Sequence, residues 1–157
     1  MPDRTETTGP IAAAGIALGI GLGGFVDGIV LHQIAQLHSM LSAKVPLDSM
    51  ANMRTNMTAD GYFHAAVWLA TLIGIVLLFN AGKRHDAAWS GRALFGSMIA
   101  GWGIFNVVEG TVNHHLLHLH HVVERLGQSI WDWAFLAGSL VLIVIGRAIA
   151  RDRRPTG

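Results

Sequence analysis

The sequence predicts an all-α membrane protein, a four-transmembrane-helix bundle with both termini cytoplasmic. Composition, four apolar blocks and the placement of Lys and Arg predict it. Of the 157 residues, 52% are hydrophobic and only 13% charged, whereas a soluble domain usually carries about 25% charged residues. The apolar residues also fall in long blocks rather than an alternating pattern, as expected of a chain dissolved in lipid.

Residues 11–31, 62–81, 93–112 and 133–150 are each long enough to cross roughly 30 Å of hydrocarbon. Backbone polar groups in lipid must be satisfied within the segment, so these spans are helices. With their flanks they are expected at about 11–41, 60–81, 92–122 and 130–150, in a single domain over 11–150. An outer Met-rich loop is expected over 42–59, with cytoplasmic tails over 1–10 and, strongly basic, over 151–157. Asp27, His32 and Gln33 interrupt the far end of the first span and no small-residue cleavage site follows, so it reads as a retained helix rather than a signal peptide. Eight of the eleven Lys and Arg residues fall on the side shared by the termini and the second loop. By the positive-inside rule that side is the cytoplasm, and the chain is expected to be a multi-pass protein of a bacterial inner membrane.

The partner implied is the lipid bilayer. A formal net charge of +1 gives no footing for nucleic acid, and the absence of cysteine excludes thiolate metal sites, redox dithiols and disulfides. Gly15, Gly19 and Gly23 recur at four-residue spacing. This small-residue stripe offers close helix packing, or a contact through which copies could form a homo-oligomer.

On this topology the polar residues collect at the outer helix ends. Asp27, His32, Gln36 and His38 close the first helix, and Asp60 and His64 open the second. Asn106, Glu109, Asn113 and the run "NHHLLHLHH" close the third, and Asp132 opens the fourth. Only His85 lies on the other side. Ionisable groups are costly in a membrane and mark sites by default, although one such group alone could serve as a packing hydrogen bond. Imidazole is the commonest metal ligand and carboxylates often orient it.

Helical spacing selects the ligands. His114 and His118 are four apart, and His118 and His121 three apart, so they share a face; Asp60 and His64 form another such pair. The expected metal ligands are His114, His118, His121, His64 and Asp60, with His32 or Asp27 from the first helix. On a continuous helix Asp27 and His38 stand about 16 Å apart and cannot share an ion. Asn106, Asn113, His120, Asp132 and Gln36 would support the ligands, while His115 points away. Glu109 is the expected proton-transfer group. Met50, Met53 and Met57, also at helical spacing, form either the face of a short surface helix capped by Asp48 or Ser49, or thioether ligands for Cu(I).

The phrases "GFVDGIVLHQI", "DGYFH", "GWGIFNVVEGTVNHHLLHLHHV" and "WDWAFLAGS" resemble the bacterial integral-membrane family catalogued as domain-of-unknown-function family 2243. The resemblance covers nearly the whole chain. It implies a small four-helix membrane protein with Asp27, His32, Gln33, Asp60, His64, Asn106, Glu109, His114, His115, His120, His121 and Asp132 as signature positions, and it implies no activity.

The residues favour a metal-binding protein that handles copper or zinc. One alternative is a membrane metalloenzyme: a zinc hydrolase built on His114, His118, His64 and Asp60 with Glu109 moving protons, or, behind it, a non-haem iron oxygenase. Others are a b-type haem carrier, with His64 and His114 or His118 as axial ligands, and a proton relay through Asp27, Glu109 and the histidines. The inner helix halves carry almost no polar residues, which counts against a complete path across the membrane.

Overall fold

The computed structural model describes residues 6–151, and the regular elements among them are helical. Four helices are long and apolar enough to span a membrane, as the hydropathy predicts. Helix α1 (Gly9–Val26) continues as a π-helical segment, π1 (Asp27–Ile34). Helix α2 (Met50–Gly82) returns, α3 (Gly91–Glu109) runs out again and continues as π2 (Gly110–Leu116), and α4 (Ile130–Ala150) closes the fold. The expected tails lie largely outside the described residues. Thr7, within them, bridges to Ala87, which puts the start of α1 beside the α2–α3 loop. A pocket lined by Thr7, Ala88 and Arg147 brings the end of α4 to that same side.

Helices α1 and α3 pack on each other at the centre, with α2 against α1 and α4 against α3. About half of the apolar window of α1 and of α3 is buried, against 11% for α2 and α4. The outer helices present Trp68, Leu69, Ile73, Val76 and Val144 outward, more than half exposed. Such a surface is untenable in water and ordinary in lipid.

Lipid tails are as apolar as leucine, so close packing rather than hydrophobic exclusion must hold α1 to α3. Glycine allows it. A Cβ on Gly19 would overlap the Met98 carbonyl, and one on Gly101 would overlap the Ile16 carbonyl. Gly15 and Gly23 likewise face Ser97 and Trp102 of α3. Of the two roles the stripe offers, the structure uses it for close helix packing within the chain, against α3.

Three boundaries also differ from expectation. The first helix stops at Ile34 rather than 41 and the third at Leu116 rather than 122. Each is reversed by a residue in left-handed conformation, Gln36 (φ 50) and His118 (φ 49). The Met-rich stretch is no loop but the first turns of α2, capped by Ser49, whose hydroxyl accepts from Asn52 N at 3.2 Å. At 33 residues, α2 is about 50 Å long and extends well beyond the hydrocarbon.

Replacing Gly19 or Gly101 with leucine should cost about 3 kcal/mol or more of stability, since the obstacle is backbone. The same change at Gly138, where an added Cβ meets nothing within 4 Å, should be silent. Thermal unfolding in detergent distinguishes them, and equal effects would refute the α1–α3 contact.

Candidate functional site

The two central helices end alike. In π1 the carbonyls of Val30 and Leu31 accept from Ala35 N (2.8 Å) and Leu37 N (3.0 Å), and in π2 those of Val112 and Asn113 accept from Leu117 N (2.8 Å) and Leu119 N (2.8 Å). The second bond of each pair closes around the left-handed residue, like the long bond of a Schellman cap but one residue wider. The chain then doubles back and carries His38 and His120 into the bundle beside His32 and His114. All four imidazoles are buried.

Three of the four rings are hydrogen-bonded through Nδ1. His38 donates from Nδ1 to the Val122 carbonyl at 3.1 Å, and His120 from Nδ1 to the Met40 carbonyl at 3.0 Å. A carbonyl only accepts, so these bonds fix the tautomer and turn Nε2 inward. His32 Nδ1 lies 3.0 Å from Asp60 Oδ1, and His114 Nδ1 lies 3.3 Å from Asp132 Oδ1 in looser alignment. The two aspartates are themselves anchored, by Met40 N at 2.8 Å and Val122 N at 3.0 Å.

The inward nitrogens meet carboxylates. His32 Nε2 is 3.4 Å from Asp27 Oδ2, His114 Nε2 is 3.3 Å from Glu109 Oε1, and His120 Nε2 is 2.9 Å from the same oxygen. Asn113 Nδ2 donates to that oxygen as well, at 3.3 Å. With Nδ1 of His120 committed as donor, Nε2 and the carboxylate present lone pairs to each other, and a proton or a cation must lie between them. Among the described residues, Asp27 Oδ2, Glu109 Oε2, Nε2 of His32 and His38 and both ring nitrogens of His114 are buried with no hydrogen-bond partner. Each such atom costs about 1–3 kcal/mol unless something binds it. Burial, with the adjoining His120 and His32, pushes His38 down to about 3, so its ring is neutral at pH 7 and free to ligate.

The donors form two triads, His32–His38–His120 and Glu109–His114–His120, within each of which one atom per residue lies within 4.8 Å of the others. Of the expected ligands, His32, His114, Asp27 and the proton-transfer candidate Glu109 come together here. Asp60 stands behind His32 as an orienting group rather than at the centre. His121 borders it, with Nδ1 3.5 Å from Asp132 Oδ1. His64 is outside both triads, its Nε2 against Gly28 and its ring near Phe25 and Phe63. His118 occupies the reversal itself, 5.9 Å from the His121 ring, because helical spacing no longer applies beyond Leu116. His115 turns away, as expected, onto Trp133. His120 moves from a supporting position to the centre. So does His38, set aside on helical geometry: the reversal at Gln36 removes the 16 Å separation.

A pocket of about 230 Å³ reaches His32 and His38 from the surface, lined also by Gln36, Met53, Met57 and Asp60. Met50 is 74% exposed and does not line it.

Fold and site define a class: a four-helix membrane protein with a buried imidazole–carboxylate layer at the end opposite the start of α1 and the end of α4. The chain belongs to the family described as "Predicted membrane protein (DUF2243)", whose model matches residues 14–153. No curated protein and no solved structure matches it.

The reversal is directly testable. L-residues other than glycine lose about 1–2 kcal/mol in left-handed conformation, and β-branched ones more. At position 36 thermal stability should rank Gly above Gln above Val, with about 2 kcal/mol between the extremes; Val equal to Gly would contradict the turn.

Proposed function

We propose that this protein binds a transition metal in the imidazole–carboxylate layer, at the outer face of a bacterial inner membrane, and handles copper or zinc there. One observation carries the reading. Three of the four buried imidazoles, those of His32, His38 and His120, have Nδ1 hydrogen-bonded to a carbonyl or carboxylate, and His114 has Nδ1 3.3 Å from the Asp132 carboxylate; their Nε2 atoms are directed at a common region, with carboxylates opposite. Ligating histidines are held in this way, the outer hydrogen bond fixing tautomer and direction. A hydrogen-bonded packing layer would satisfy its own donors and acceptors, whereas this one leaves Asp27 Oδ2, Glu109 Oε2, Nε2 of His32 and His38 and both ring nitrogens of His114 bare.

The donors are nitrogen and oxygen, which suits zinc or copper. Met53 and Met57 at the pocket mouth favour copper, because thioethers select Cu(I) and would pass it inward to His32 and His38. The pocket's 230 Å³ supports handling over chemistry on an organic substrate, for which sites of about 300–1,000 Å³ are usual. The outward placement rests on the distribution of Lys and Arg.

Protein purified in detergent without a polyhistidine tag should carry copper or zinc by mass spectrometry. His114→Gln with His120→Gln should lower that content at least twofold while helix content is kept. Absence of bound metal after reloading with copper, zinc and iron in turn would overturn the proposal.

The copper preference has its own test. Met53→Leu with Met57→Leu should slow Cu(I) loading several-fold and leave zinc loading unchanged. Equal rates for Cu(I) before and after the change would remove copper's advantage.

A further inference from the structure

The two halves of the chain are the same construction twice. "DGIVLHQIAQLH" beginning at Asp27 aligns with "EGTVNHHLLHLH" beginning at Glu109, 82 positions later. In the central helices and the turns after them the structure repeats with that offset down to single atoms, and in the outer helices Asp60 and Gly74 recur 72 positions on, at Asp132 and Gly146. The reversals fall at Gln36 and His118. Met40 N donates to Asp60 Oδ1 where Val122 N donates to Asp132 Oδ1. His38 bonds the carbonyl of Val122 while His120 bonds that of Met40, so each half holds the other's histidine. The glycine contacts exchange likewise: Gly19 abuts Met98 O, and Gly101 abuts Ile16 O. In the outer helices, Gly74 faces Leu18 N where Gly146 faces Ala100 N. Such reciprocal pairing is what a two-fold axis produces. Here the axis runs between α1 and α3 and passes between His38 and His120.

An axis through a metal layer leaves two arrangements: one ion on it, or two ions related by it. The ring geometry chooses. A metal lies in the plane of the imidazole that binds it, along the Nε2 lone pair. The His38 and His120 rings are stacked, with centroids 4.5 Å apart and planes 6° from parallel. Nearly parallel, offset planes do not meet near the rings, so these two nitrogens cannot bind one ion between them. Within a half the rings cross steeply and converge: His32 with His38 at 4.5 Å and 73°, His114 with His120 at 4.9 Å and 71°. Across the halves the corresponding crossings are longer, His38 to His114 at 6.2 Å and His32 to His120 at 5.6 Å. Each ring also has one nitrogen left, so His120 cannot serve both triads, and its counterpart His38 serves the other.

We propose that the centre is binuclear, with one ion per repeat: Glu109, His114 and His120 hold one, and Asp27, His32 and His38 hold the other. This rests on the metal-binding reading above. The halves differ in grip. Glu109 reaches both of its histidines, at 3.3 and 2.9 Å, while the shorter Asp27 comes within ion-pair distance of His32 alone, at 3.4 Å. The surface pocket opens on His32 and His38. The ion of the first half is therefore the exchangeable one, and the ion of the second half is retained.

The test is a titration of metal-free, detergent-solubilised protein with Co(II), whose visible absorption reports nitrogen and oxygen ligation, with bound metal counted by mass spectrometry. Two ions per chain are expected, the first to leave under a chelator being lost at least tenfold faster than the second. His32→Gln with His38→Gln should retain one slowly exchanging ion, and His114→Gln with His120→Gln one rapidly exchanging ion. Saturation of the unaltered chain at one ion overturns the binuclear centre and leaves the metal-binding reading standing. Saturation at none overturns that reading. Loss of both ions from either variant, with helix content kept, overturns the assignment of one ion to each repeat.

Discussion

Everything at the histidine end depends on two hydrogen bonds that cross the molecule, from His38 to the carbonyl of Val122 and from His120 to that of Met40. Each ties a ring in one half to the backbone of the other. Each also satisfies a carbonyl that would otherwise be stranded where a helix has ended inside the fold, which a buried backbone group requires. The same two loops are joined again by Ala43 N to Leu119 O (3.0 Å) and Glu124 N to Leu37 O (3.1 Å). The Glu124 carboxylate accepts from Ser42 Oγ at 3.0 Å and His121 N at 3.1 Å. The loops form one hydrogen-bonded plate over the helix ends, and the imidazoles hang beneath it.

That plate has to sit on a rigid base, and the bilayer gives no hydrophobic force to make one. The base is the α1–α3 contact, where the Gly19 and Gly101 faces let each backbone touch the carbonyls of the other helix. The two ends of the argument meet in the π segments. A π turn places successive side chains differently from an α turn, and such segments recur where function requires a side chain to be re-aimed. Here Asp27 and Glu109 stand at the junctions, directed toward His32 and His114 rather than toward lipid. Packing fixes where the helices are, the π turns fix where the acids face, and the reversals return the histidines to them.

Much of this was legible in the sequence. Hydropathy marks four spans because lipid imposes length and composition, and that ordering placed Asp27, Asp60, Glu109, Asp132 and the histidines at one end. The reversals left no such mark. A left-handed turn is usually announced by glycine, but here the positions are Gln36 and His118. Helical spacing was therefore carried past its true end, favouring His118 over His120 and excluding His38. The ring of His64 faces Gly28 rather than the centre. A comparison of the chain with itself would have found the signal: Asp/Glu–Gly, a histidine five residues after the acid and another six beyond occur twice. A position that recurs under a two-fold is constrained twice, which singles out His38 and His120 from their more numerous neighbours.

The repeat also isolates what is not repeated. From Asp27 to Asp60 the chain advances 33 positions, but from Glu109 to the equivalent Asp132 only 23. The extra length lies in the first half and includes the opening turns of α2, with Met53 and Met57. Asn56 anchors it, its Oδ1 accepting from Leu41 N at 3.0 Å and its Nδ2 donating to Val45 O at 2.8 Å. The second half closes directly instead: the Asp132 carboxylate caps α4 through Ser129 N at 2.8 Å while its other oxygen faces His114. A symmetric pair of half-sites is thereby given unequal surroundings, one sealed by a helix cap and one adjoining a pocket rimmed by thioethers. In the proposed binuclear centre the pseudo-symmetry supplies the ligands and the insertion supplies the access. An ion both held and passed on, as proposed for this layer, needs the two together.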